Sequence, residues 1–159
     1  MNDSLIAALD KILVFTLDEL NFALPIDNVL KVIHAVAIRS LPKAPEIITG
    51  IINVRGQIIP VADIRKRLKL AEHEIEPDDR LIITDTGKRH IALLVDSVTG
   101  IRDLSATQIS SAIDTLPFAK HLKGVAKMED GMALIYNLDQ FLSIDEEQLL
   151  EEALIKRKA

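Results

Sequence analysis

Three aspartates, Asp27, Asp63 and Asp96, and four histidines, His34, His73, His90 and His121, are the groups in this 159-residue chain to which acid–base or metal chemistry would turn first. Asp27 and Asp96 each close an apolar run, a position from which a carboxylate can serve a reaction. The same position suits an aspartate that caps the following turn by bonding its own backbone. Asp63 ends a third run with no partner near it in sequence. The histidines are scattered, with no pair at metal-ligand spacing. There is no cysteine, which excludes thiol nucleophiles, disulfides and thiolate metal sites. No nucleophile elbow, Walker-type loop or dinucleotide fingerprint occurs, and six glycines are few for a phosphate cradle. These residues predict no catalytic group, no metal site and no cofactor, hence not an enzyme.

Positioning such groups falls to strands. Apolar runs of four to eight residues recur between Gly, Pro, Asp and Asn, the pattern of strands and turns. Ile12 to Leu17 and Phe22 to Leu24 flank Asp18-Glu19. Val32 to Ile38 reads as a strand ended by Pro42 and Pro45. Ile51 to Val54 and Ile58 to Val61 flank Arg55-Gly56-Gln57, a tight hairpin in which Gly56 is free to take positive φ. Leu81 to Thr84 with Ile91 to Val95, and Val125 to Lys127 with Met132 to Tyr136, give two more hairpins. Helix is the minority state: a first turn over Ser4 to Leu9, a short piece over Asn137 to Leu142, and a C-terminal helix over about 144–157. Ser143 and Glu146 have capping-box spacing at the start of that last helix. Asp145, Glu146 and Glu147 stand at its start and Lys156, Arg157 and Lys158 at its end, as the helix dipole favours.

The chain also repeats itself. Phe22-Ala23-Leu24-Pro25-Ile26-Asp27-Asn28-Val29 matches Ile91-Ala92-Leu93-Leu94-Val95-Asp96-Ser97-Val98 at an offset of 69. Gly50-Ile51-Ile52 and Ile58 to Ile64 match Gly124-Val125-Ala126 and Met132 to Leu138 at an offset of 74, setting Asp63 opposite Asn137. Two halves follow, 11–70 and 80–142, each of a size at which packing against a twin helps. The acidic stretch 72–79 reads as a solvated connector.

Composition bounds the partners. Hydrophobic residues make up 48% of the chain, enough for a sizeable core, while 24 acids against 19 bases give a net charge of −5. A global nucleic-acid footprint needs the opposite sign. Aromatics are 3% with no Trp, so base-stacking platforms are missing. No apolar run approaches the roughly 20 residues that cross a bilayer, and Met1-Asn2-Asp3 is not a basic leader. The expectation is one cytoplasmic domain over 1–159, without direct membrane insertion. One region departs from the acidic balance. Arg39, Lys43, Arg55, Arg65, Lys66, Arg67 and Lys69 face only Glu46 and Asp63, a local +5. Arg65-Lys66-Arg67 reads as a solvated run, and the region as a whole suits docking onto an acidic partner.

The run Gly50-Ile51-Ile52-Asn53-Val54-Arg55-Gly56-Gln57-Ile58-Ile59-Pro60-Val61-Ala62-Asp63-Ile64-Arg65 resembles the signature of CheW-like domains, the chemotaxis coupling proteins of bacteria. The resemblance extends from Leu13 through Val95-Asp96-Ser97-Val98 to Leu138. It implies a mainly β fold of two packed five-stranded SH3-like barrels, in which terminal strands can be exchanged. It also implies a non-catalytic adaptor between the cytoplasmic tip of a methyl-accepting chemoreceptor and the regulatory domain of a histidine kinase. On matching positions, Val29, Asn53, Arg55 and Gly56 would line or support the groove that receives the receptor, with Val98 the counterpart in the second half. Arg55 would pair with a receptor acid or else brace the hairpin from within. Lys31 stands where family members often carry Glu, a charge reversal that implies a partner of compensating charge or a different contact. The alternative to this adaptor is an SH3-like barrel that binds a peptide or nucleic acid through the basic 39–69 region.

Overall fold

Runs that are apolar at every position, rather than at alternate ones, need cover on both faces of a strand, and the topology supplies it. The computed structural model describes residues 11–104, 109–110 and 119–158. Within it lie strands β1 (Lys11–Leu17), β2 (Leu20–Pro25), β3 (Val29–His34), β4 (Ile48–Val54), β5 (Gln57–Ala62), β6 (Arg80–Asp85), β7 (His90–Val95), β8 (Ser97–Asp103), β9 (Ile109–Ser110), β10 (Leu122–Met128) and β11 (Gly131–Tyr136). A short helix α1 (Arg65–Leu68) follows β5, and helix α2 (Ile144–Lys158) follows β11. The first turn of helix expected over Ser4 to Leu9 lies outside the described residues.

Two sheets form, in the orders β8-β1-β2-β11-β10-β9 and β3-β6-β7-β5-β4. The short β9 makes the first six-stranded, one more than expected. In β1, Leu13 and Phe15 point into a core shared by both sheets, while Ile12 and Val14 enter a smaller cluster with Ala23, Ala126 and Ile135. The second sheet does the same, with Ile82 and Leu93 in the shared core and Leu81, Ile83, Ala92 and Leu94 in a cluster of their own. Both faces of each central strand are therefore dry, which is why these segments lack the alternation of a half-exposed strand.

Neither sheet coincides with one of the halves 11–70 and 80–142. β1 and β2 pair with β8 and β11, while β6 and β7 pair with β3 and β5. Each sheet thus takes a hairpin from one half and three strands of its five-stranded core from the other. The registers carry the sequence offsets. Val61 opposes Ala92 in one sheet as Ile135 opposes Ala23 in the other, 74 and 69 residues apart. Local reading cannot see this exchange, because it is a choice of partners made far along the chain.

The two crossovers between sheets are pinned alike. Between β2 and β3 the Asn28 amide donates to the Asp85 carbonyl at 3.0 Å. Between β7 and β8, Asp96 N–H donates to the Thr16 carbonyl at 3.0 Å, and the hydroxyls of Ser97 and Thr16 lie 2.7 Å apart. β3 begins at Val29, directly after a 3-10 turn over Ile26–Asn28, and ends at His34, earlier on both counts than the run 32–38 suggested.

Helix α2 closes the shared core with Leu150 and Ala153. The capping box is present: Glu146 N–H donates to Ser143 Oγ at 3.1 Å, and Ser143 N–H to Glu146 Oε1 at 3.0 Å. Arg89 fastens the next turns through Glu147 at 3.4 Å and Glu151 at 3.0 Å. The short helix expected over 137–142 is a 3-10 turn, Leu138–Gln140. No helix among the described residues is long and apolar enough to cross a membrane.

Candidate partner-binding surface

The β4–β5 hairpin turns in two residues, Arg55 at φ 51° and Gly56 at φ 86°. Positive φ at both central positions is the twist that matches a right-handed strand pair, and it is natural for Gly and costly for Arg. Asn53 offsets that cost, since its Oδ1 accepts the Gly56 N–H at 2.8 Å. Gln57, at the base of the turn, meets His90 Nδ1 at 2.9 Å and ties the hairpin to β7. The brace is therefore Asn53. Arg55 is exposed, and no ion pair involving it occurs among the described residues.

Val29 and Val98 occupy equivalent places in the two sheets. Val29 opposes Thr84, Val98 opposes Phe15, and each is followed by a one-residue bulge, at Leu30 and Thr99. Both are half-buried and pack against the shared core from the strand that leaves one sheet for the other. Lys31 follows the bulge, exposed and opposite Ile83. Leu30 (49% exposed) and Val32 (37%) flank it, giving an outer strand that is apolar around one cation. On the other outer strand Ile101 is 58% exposed. Unpaired apolar strand edges of this kind are templates for another chain.

The sites of possible chemistry resolve into structural roles. Arg65 is almost fully buried, 2% exposed, and is not part of a solvated run. Its guanidinium donates to Asp63 Oδ1 at 3.1 Å and forms an ion pair with Asp96, whose other oxygen accepts the Asp18 N–H at 2.7 Å. Asp63 also accepts the Arg65 backbone N–H at 3.1 Å. His73 adds to the cluster, 3.2 Å from Asp79 and 3.7 Å from Asp96. Asp79 is itself buried and takes the Glu76 N–H at 2.9 Å, so the stretch 72–79 is anchored at its end rather than solvated throughout. Asp27, the counterpart of Asp96, is exposed. The sequence signal for this cluster was the Asp-x-Arg spacing at Asp63 and Arg65. Its third member lies 31 residues away and carries no local signature.

The basic region 39–69 is dispersed by the same folding. Arg55 and Arg65 lie at opposite ends of β5, roughly 20 Å apart at the rise of a strand. Arg39 straps the edge of β4, with its N–H donating to the Ile51 carbonyl at 2.9 Å and the Ile51 N–H returning to Arg39 O at 2.7 Å. Lys66 donates to the Glu46 carbonyl at 2.8 Å, and Arg67 pairs with Glu146. What sequence adds up to +5 is not one face of the molecule.

Comparison with known proteins points one way. Residues 11–146 match the family model described as CheW-like domain. The chain is 31% identical over 146 residues to the chemotaxis protein CheW of Thermotoga maritima, covering 92% of this chain and 91% of that one. It is 32% identical over 114 residues to the protein FrzA of Myxococcus xanthus, covering 71% of each. Its structure is similar to the crystal structure of the scaffolding protein TtCheW from Thermoanaerobacter tengcongensis, at a TM-score of 0.77 and 34% identity, over 86% of this chain and 94% of that one.

Proposed function

This chain belongs to the CheW-like domain family, and we propose that it couples chemoreceptor cytoplasmic tips to the regulatory domain of a chemosensory histidine kinase. As a member of that family it is a non-catalytic chemotaxis scaffold. The observation that carries the finer reading is the family match over 11–146, which takes in both sheets and the first turn of α2. The geometry supports it: two outer strands, β3 and β8, with exposed apolar side chains, and a turn that holds Arg55 out from the hairpin. In this reading the receptor tip lies against Val29 and Val98, with the Asn53-braced turn presenting Gly56 and the Arg55 charge to an acid on the partner. Lys31 selects a partner whose charge complements it. The work is done in the cytoplasm, where both partners present these surfaces, and it requires neither nucleic acid nor membrane insertion.

Calorimetric titration of the chain with the regulatory domain of a chemosensory histidine kinase from the same genome tests this directly. Saturable one-to-one binding is expected, and a charge placed at Val32 or Ile101 abolishes it if the corresponding strand edge is the contact. Arg55→Ala weakens receptor or kinase coupling with circular dichroism unchanged. Lys31→Glu changes the ranking of receptor tips without changing stability. Full coupling in the Arg55 variant would remove that residue from the surface, and no binding to any such kinase would overturn the reading.

A further inference from the structure

Away from the outer strands and the Arg55 turn, α1, the 3-10 turn at Ala119–His121 and the start of α2 border an open cavity of about 810 Å³. That lies within the size range of small-molecule sites. Four full cations line it, Lys66, Arg67, Lys69 and Lys120, against one carboxylate, Glu146. Glu146 is already engaged by Arg67 and by the Ser143 N–H. Lys69 and Lys120 have no ion pair among the described residues, and Lys66 has only a carbonyl. Leu68, Leu70 and Phe141 supply an apolar wall.

From this arrangement we infer that the cavity binds a phosphorylated small molecule, one carrying at least two phosphate charges on an apolar or aromatic body. Ammonium groups on flexible stems are point-charge phosphate binders, and three of them gather here without carboxylate partners. A monocarboxylate would leave most of that charge unmet, whereas a pyrophosphate group answers it. The local field is visible at His121, whose imidazole is held below its usual value of 6.5 by burial first and then by the charges of Lys120 and Arg67. The inference does not depend on the adaptor reading, since it uses none of the residues assigned to receptor or kinase.

Calorimetric titration of the full chain with pyrophosphate and with ATP, at fixed ionic strength, decides it. Saturable binding is expected for both probes, about tenfold weaker or more in the Lys69→Gln, Lys120→Gln double variant, at the value of charge-assisted hydrogen bonds. The Lys88→Gln, Lys127→Gln double variant, at two exposed positions away from the cavity, serves as the charge-matched control and binds as the parent does. A second readout needs no variant: the His121 ring protons, followed by NMR, titrate at higher pH when pyrophosphate is saturating. Binding lost equally in the control, no saturable binding, or an unmoved His121 would each overturn the proposal. So would tight capture of an acidic peptide with no binding of either phosphate probe.

Discussion

Arg65 and Asp96 come from different repeats and meet in an ion pair where the chain passes from one sheet to the other. Asp96 is the crossover residue itself, with its backbone bonded to β1 and its carboxylate shared between Arg65 and Asp18. The pair has no twin among the described residues. The offset of 74 puts Asp139 where Arg65 would recur, and Asp139 is exposed and pairs with Lys123 at 3.0 Å.

Removing one member of a buried charge cluster strands the others. Arg65→Ala leaves the buried Asp63 with only the backbone N–H of residue 65 to answer its charge, at a cost of about 3–5 kcal/mol. Arg65→Lys restores little of it, because one ammonium cannot fork to two carboxylates. Urea unfolding of both variants measures the loss. A midpoint within error of the parent for Arg65→Ala would show that the cluster contributes nothing to stability.

Gly50 is required by the strap across β4. A Cβ there would lie 2.2 Å from the Arg39 carbonyl oxygen and 2.7 Å from Ile38 Cγ2, so backbone must shift. Gly50→Ala is expected to cost about 1–3 kcal/mol. It also speeds hydrogen exchange at the Ile51 amide, because the Arg39–Ile51 bridge opens, and it exposes the β4 edge to other chains. Unchanged exchange at Ile51 would mean that the strap yields without leaving the strand.

Much of this fold was legible locally. The two-residue turn Asp18-Glu19 and the Ser143–Glu146 box are written in neighbouring residues, and each occurs as expected. Partnership at a distance was not legible. Arg65 looked solvated because its neighbours Lys66 and Arg67 are charged, while the carboxylate that helps bury it stands 31 positions on. The two sheets draw on both halves for the same reason. In the candidate surface, the sequence singled out Asn53, Arg55 and Gly56 but left Arg55 open between pairing with a receptor acid and bracing the hairpin from within. The Asn53–Gly56 bond supplies a brace within the turn, and the coupling of the Arg55→Ala variant tests the role of Arg55 itself.

Glu146 couples the cap of α2 to α1, and its protonation should release both. Burial pushes its carboxyl up, but the Arg67 hydrogen bond and the Ser143 N–H outweigh this and hold it below 4.5. A depressed folded value means that the stabilisation is present above the unfolded value, near 4.5, and is lost as pH falls through the folded one. Glu146→Gln is therefore less stable than the parent at pH 7, by about 0.5–2 kcal/mol for a lost cap. The gap narrows as pH falls below 4.5 and through the lower folded value, and unfolding curves at pH 7 and at successively more acidic pH measure it. A gap independent of pH would assign the effect to shape rather than charge.

Tyr136 is the single tyrosine in a chain without tryptophan, so absorbance near 295 nm follows it alone. Burial pushes its phenol well above the usual value of 10. With the folded value raised, stability is full below about pH 10 and falls as pH rises toward the folded value. Phenolate absorbance should therefore appear above pH 10 and together with the loss of circular dichroism. A smooth titration near pH 10 in a folded chain would place Tyr136 in contact with water.

The reciprocal exchange of strands makes this chain, in topology, a domain-swapped dimer sewn into one molecule at residues 70–79. A fragment on either side of that suture holds the hairpin of one sheet and the remaining strands of the other, and so has no complete sheet to fold into. Cleavage at the connector should leave two pieces that stay associated while native and that regain structure after unfolding only when mixed. The loop that joins the two halves makes their association an intramolecular step rather than a bimolecular one.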